Sequence, residues 1–217
     1  KPFTNLNDRV ESFISLLIPH VIFCECELIV YNCKVCPQYL ENINKMASFY
    51  ESKLGKRKYN FKITFQNNSI DLKLKSRSYF QNQKLCCFSG GVDSFCTLLS
   101  NSDDINAIFY GINYDVYSSQ KKLLHDQLNT VYKIGEKYNK DVYLCDSNFK
   151  IFLHSYSTYK YLHKENDCDK WLLTHVPCKV SNFYNLSNTF DTFMLSSWNK
   201  YDIIDFSFFK LLELYFQ

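Results

Sequence analysis

The sequence predicts an α/β protein in which a parallel sheet with helices on both faces follows a small α+β module. Three observations carry this. From Lys84 onward, short apolar strand-like runs alternate with helical patterns. The first of these runs empties into a glycine pair and then a helix start. Before Lys84 strands and helices follow in irregular order. Repeated strand–helix units return the chain to the same end of a sheet, which makes the strands parallel. At 217 residues the chain can bury one substantial core and a smaller attachment. The expected organisation is an N-terminal module over 1–83, a sheet domain over 84–212, and a separate ending over 213–217.

In the first module, Val10, Phe13, Ile14, Leu17 and Ile18 form a helical apolar stripe within Asp8 to Ile18, ended by Pro19. A strand follows from Val21 to about Tyr31, then a helix from Pro37 to about Leu54. Two alternating segments, Tyr59 to Phe65 and Ser69 to Leu74, are separated by Asn67-Asn68 and read as a strand pair. In the second part, strands are expected at Leu85 to Phe88, Asn106 to Asn113, Asp141 to Cys145 and Thr192 to Leu195. Helices are expected at Val92 to Leu99, at Ser119 to Lys137 with Leu123, Leu124, Leu128, Val131 and Ile134 on its apolar face, and at Val180 to Leu186. Ligands of such sheets lie at the carboxyl ends of the strands, where Ser89, Asn113, Cys145 and Ser196 fall.

Composition narrows the function classes. Apolar residues make up 46% of the chain, and no run approaches the roughly twenty needed to span a bilayer, so no membrane partner is expected. The opening residues show no signal-peptide pattern. A net charge of +3, with Arg only at positions 9, 57 and 77, argues against nucleic acid, whose recognition leans on the arginine fork. The basic cluster Lys53 to Lys58 reads as a solvated turn. Ten cysteines scattered without a framework point to a reducing, cytoplasmic setting. Cys24-x-Cys26 with Cys33-x-x-Cys36 has one zinc-like gap, but alternation places Cys24 and Cys26 on one strand face as small core residues, and structural zinc is not expected.

The chemistry concentrates in Leu85-Cys86-Cys87-Phe88-Ser89-Gly90-Gly91-Val92-Asp93-Ser94. Adjacent glycines let the backbone turn sharply and aim successive N–H groups at one point, and the new helix adds its free amides and positive dipole end. Such a nest suits an anion, phosphate above all. No Gly-Lys-Ser/Thr follows as in the common nucleoside-triphosphate loop, and the third glycine of the dinucleotide fingerprint is missing.

Ser89-Gly90-Gly91-Val92-Asp93-Ser94 after an apolar strand resembles the PP-motif of the ATP pyrophosphatase superfamily, the adenine nucleotide alpha hydrolases. The resemblance implies a HUP-like PP-loop domain whose loop holds the β,γ-pyrophosphate of ATP while a substrate oxygen attacks the α-phosphorus. Ser196-Ser197-Trp198-Asn199-Lys200-Tyr201-Asp202 extends it towards an uncharacterised bacterial branch similar to the 7-cyano-7-deazaguanine synthases. Members of that branch continue well past the fourth strand, so the part that closes over an acceptor is expected to be missing from this chain. Residues 213–217, Glu-Leu-Tyr-Phe-Gln, resemble the remnant of a protease-cleavage tag and receive no functional role.

Attack at the α-phosphorus builds charge on the leaving pyrophosphate, which calls for donors and a divalent cation there. The amides of Gly90, Gly91 and Val92 suit the first task, and Ser89 and Ser94 can each offer a hydroxyl. Asp93 suits Mg2+ coordination or helix capping. Asp93 and Ser94 are the expected catalytic pair. By the resemblance, adenine lies against the backbone around Asn113 and Tyr114, and Ser196 completes the nucleotide site. Among acid–base groups, His125 reads as a helical surface residue, while His175 and Lys200 are better placed for the cleft. The expected function is adenylation of a carboxylate or amide oxygen with ATP and Mg2+, releasing pyrophosphate and AMP to an unidentified acceptor, with a homodimer left open. The alternatives are sulfur transfer to a nucleobase, for which Cys145 or Cys178 would carry the sulfur, and a degenerate nucleotide-binding module.

Overall fold

The computed structural model describes residues 10–23, 26–35, 39–40, 43, 62–66, 69–70, 83–148, 178–186, 189–190 and 192–195. The chain divides into two compact units that are discontinuous in sequence. One comprises Lys1–Asn5, Ser78–Lys150 and Ser187–Phe216; the other comprises Leu6–Arg77, Ile151–Leu186 and Gln217. A single boundary before Lys84 is replaced by a chain that leaves the sheet unit after its third strand and re-enters it before the fourth.

The sheet unit contains β5 (Lys84–Cys87), α2 (Val92–Ser100), β6 (Ile105–Ile112), α3 (Lys121–Lys137), β7 (Asp141–Asp146) and β8 (Thr192–Met194), close to the ranges expected from the pattern. All pairings are parallel, in the order β7-β6-β5-β8. Register puts Cys86, Ile108, Val142 and Met194 on one face. There α2 contributes Leu98 and Phe95, and α3 contributes Leu124, Leu128, Val131 and Ile134. The opposite face carries Cys87, Phe109, Tyr143 and Phe193. It is closed by edge-on rings: Phe193 against Phe109 at 5.8 Å and Phe190 against Tyr143 at 5.2 Å. Burial on both faces explains why β5 and β6 read as near-continuous apolar runs instead of alternating ones. Gly135 in α3 permits close approach, since a Cβ there would come within 3.0 Å of the Lys140 carbonyl oxygen. Among the described residues, the helices of this unit pack on one face.

The other unit contains α1 (Val10–Phe23), β1 (Glu27–Tyr31), β2 (Lys34–Val35), β3 (Lys62–Gln66), β4 (Ser69–Ile70) and α4 (178–186). Two expectations change here. Helix α1 runs through Pro19 to Phe23 instead of stopping, so the expected strand begins only at Glu27. A proline forfeits a backbone donor inside a helix. Buried Ile14, Ile18 and Val21, however, carry the apolar stripe past it, each burial contributing about 1.5–3 kcal/mol. The two segments flanking Asn67-Asn68 do not pair with each other. Instead β3 lies parallel to β1, and β4 lies parallel to β2, in one constant offset: Glu27 opposite Lys62 and Lys34 opposite Ser69. The break between the two ladders falls at Asn32, whose φ of 54° turns the chain while its N–H still donates to Gln66 O. Cys26 is exposed, not a core residue. Cys24, Cys36 and most of the expected helix after Pro37 lie outside the described residues. Helix α4 belongs to this unit through Ser12, whose hydroxyl donates to Ser181 O at 2.7 Å, and through Tyr184, edge-on to Tyr39 at 5.6 Å.

Candidate functional site

The strand order defines where a ligand would lie. From β5 the chain proceeds outward to β6 and β7, then returns to the other side of β5 with β8. Open parallel sheets bind ligands outside the carboxyl ends of their strands where this reversal occurs. The segment Phe88 to Ser94 leaves β5 at that point.

Its geometry follows from its residues. Phe88 N still donates to Phe109 O at 2.8 Å, which anchors the strand end. Gly90 then adopts φ 83°, a conformation that side chains with a Cβ disfavour by roughly 1–2 kcal/mol. Gly91 is the N-cap of α2 with φ −79° and ψ 166°, and its carbonyl accepts the first intrahelical bond from Phe95 N. The conformational demand therefore sits on Gly90, and Gly91 is required only if something must approach it closely. The first amides of α2, those of Val92, Asp93 and Ser94, head the helix where intrahelical partners are lacking and the dipole is positive.

The two serines behave differently. Ser94 is buried, and its hydroxyl donates to Gly91 O at 2.7 Å, so its single proton already closes the turn. Ser89 Oγ is half-buried, accepts from Gly91 N at 3.4 Å and lies 3.5 Å from Ser94 Oγ. Asp93 is exposed in the first turn of α2, and among the described residues no side chain caps that helix. The capping role is thus absent, and the carboxylate faces solvent beside the amides.

The strand end next to the loop is ordered by Asn113. It is 3% exposed and left-handed at φ 68°. Its Nδ2 donates to Asp146 Oδ1 at 2.5 Å, and its Oδ1 accepts from Ser118 N at 2.7 Å. Asn113 N completes the turn on Val116 O. One carboxamide thus ties the end of β6 to the end of β7 and shapes 113–118. Tyr114 is buried, with its ring over Gly111, where a Cβ would overlap it. Asn113 and Tyr114 are both buried, so their side chains serve the structure of the β6 end. Ser196, His175, Lys200 and Cys168 lie outside the described residues. His125 is exposed and 2.9 Å from Asn129 Nδ2 on its own helix.

Two residues escaped the sequence reading. Asp146 ends β7 and carries the latch. Gln127 of α3 comes to Gly90: its Oε1 would stand 3.5 Å from a Cβ at that glycine. The signal for Gln127 was available, a polar residue on the apolar face of an amphipathic helix. The register that brings Asp146 opposite Ile112 was not.

Two buried thiols favour the neutral form. Burial, with the neighbouring Asp146 carboxylate second, pushes the Cys145 thiol up to about 11. Burial, then Cys87, pushes Cys86 up to about 12. Cys178 is buried. Among the described residues no group of three or more His, Cys, Asp or Glu gathers around a point that could hold a metal, and no helix is long and apolar enough to cross a membrane.

No protein-family model matches this chain, and neither a curated protein nor a solved structure matches it.

Proposed function

We propose that the chain is an ATP-dependent adenylating enzyme of the cytoplasm, with a HUP-like PP-loop domain, that activates a carboxylate or amide oxygen and releases pyrophosphate and AMP. The observation that supports this best is the Ser89 to Ser94 turn at the reversal point of the sheet, with Gly90 left-handed and the α2 amides open beyond it. In this reading the amides of Gly90, Gly91 and Val92 hold the β,γ-phosphates, Ser89 adds a donor, and Ser94 positions the turn through Gly91 O. The backbone at 113–114 receives the adenine edge. Mg2+, when bound, neutralises charge on the leaving pyrophosphate. The exposed Asp93 carboxylate fits it as a hard oxygen ligand, since Mg2+ commonly takes one or two carboxylates plus phosphate oxygens and needs no protein cage.

The loop carries no lysine at the position that serves γ-phosphoryl transfer, so the α-phosphorus is the expected electrophile. The products decide it: with ATP, Mg2+ and a panel of carboxylate and amide acceptors, AMP and pyrophosphate are expected by chromatography, and ADP as the main product rejects the assignment. Gly91→Val should abolish ATP binding with the fold retained, because the backbone there is ordinary for any residue and the nearest atom to a new Cβ is Ser89 Oγ at 3.5 Å. Unchanged ATP affinity by calorimetry would remove the loop from the nucleotide site.

A nucleotide-binding module without turnover is the second reading, favoured by the commitment of the Ser94 proton to Gly91 O. Sulfur transfer is less well supported, because a thiol pushed to about 11, as at Cys145, holds little thiolate near neutrality.

A further inference from the structure

Helix α3 buries a stripe formed by Leu124, Leu128, Val131 and Ile134 against the sheet. Gln127 falls within that stripe and is half-buried. Its amide atoms are not sealed from solvent, so they remain available to a ligand at the loop. Among the described residues no side-chain hydrogen bond engages Gln127, although its neighbours on the exposed face, His125 and Asn129, pair with each other. Its carboxamide end reaches the left-handed Gly90, at 3.5 Å from where a Cβ would stand. A larger residue at position 90 would meet this amide as well as suffer backbone strain.

We infer that Gln127 is a ligand-contacting residue, whose carboxamide hydrogen-bonds an oxygen of the phosphate group seated on the Gly90-Gly91 turn. The inference rests on the nucleotide reading above and assigns to it a side chain from a second element. A carboxamide can turn its Nε2 donor towards an anion while staying neutral. It therefore orients a phosphate without adding charge, and the turn needs none beyond its amides and helix dipole. The position also explains a polar residue where the amphipathic pattern of α3 calls for an apolar one.

The test uses the full chain, with inorganic pyrophosphate and ATP, each with Mg2+, as calorimetric probes. Gln127→Leu suits the apolar stripe and should leave the thermal midpoint unchanged or raised. It should lose about tenfold in affinity for both probes, the scale of one hydrogen bond. Gln127→Glu puts a negative charge beside the phosphate and should lose more, with the loss shrinking as salt is raised. Wild-type affinity in both variants would overturn the role of Gln127 while leaving the nucleotide reading standing. Failure of the native chain to bind either probe would overturn the nucleotide reading and this inference together. Weakened binding only in proportion to a lowered thermal midpoint would reassign Gln127 to packing.

Discussion

The two units use parallel pairing to different ends. In the sheet unit, β6 is buried along most of its length on both faces, against helices on one side and edge-on aromatic rings on the other. In the other unit, β1 pairs among the described residues with β3 alone, and Ile29 and Tyr31 remain exposed while Val30 is buried. A parallel strand covered on both faces gains its stability from packing on both sides. A strand covered on one face depends on its partner's backbone and on surface pairs such as Lys62 with Glu27, which contribute little individually. The unit covered on both faces is also the one in which β5 leads into the glycine turn at the reversal point of the sheet.

The sharpest way to break this comparison is to remove one side chain from each pairing. Phe109→Ala takes out a ring that is 1% exposed and contacts Phe193 and Tyr114, and should destabilise by about 3–5 kcal/mol in denaturant unfolding. Ile29→Ala, at 41% exposed, should change stability by less than about 1 kcal/mol. Equal losses at both sites would show that the units do not differ in this way.

Within the sheet unit, the adjacent glycines should separate. Gly90→Ala should cost about 1–2 kcal/mol because φ is 83°. Gly91→Ala, at φ −79° with only an ordinary contact, meets no such strain and should cost less, under about 1 kcal/mol, the loss of a glycine N-cap offset by the lower entropy of the unfolded chain. Thermal melts of the two variants check the assignment of strain to one glycine alone.

A further effect, visible only at high pH, concerns thiols. Cys86 and Cys145 have folded values raised to about 12 and about 11 from an ordinary 9.0. For each, the neutral form is favoured by folding, so its contribution is complete below pH 9 and is lost as pH rises from there through the folded value, because the unfolded chain deprotonates first. Stability should therefore decline gradually above pH 9. In the native protein iodoacetamide should label exposed Cys26 and Cys96 well before Cys86 and Cys145, read by mass spectrometry. Early labelling of Cys145 at neutral pH would instead make it a reactive thiol and reopen sulfur transfer.

Much of the sheet unit was legible because local pattern and tertiary packing agree there. The apolar runs at β5 and β6, the amphipathic α3 and the glycine turn each select one conformation over few residues, and the strand–helix alternation makes the sheet parallel. The other unit was legible only in part. Pro19 and Asn67-Asn68 are strong local signals for a helix end and a hairpin, yet burial beyond Pro19 and pairing of β3 with the distant β1 outweigh them. Those gains come from residues far apart in sequence, which no local window contains.

The site divides in the same way. Sequence alone determined that a Ser-Gly-Gly turn joins a strand to a helix, because a glycine pair between an apolar run and a helical pattern leaves few other backbone paths. Only the tertiary structure decided which glycine bears the left-handed conformation, that the Ser94 proton closes the turn, that Asn113 latches onto Asp146, and that Gln127 reaches Gly90. The last two depend on strand order and register. These are set by the sum of many long-range contacts and brought Asp146 opposite Ile112 and α3 over the loop.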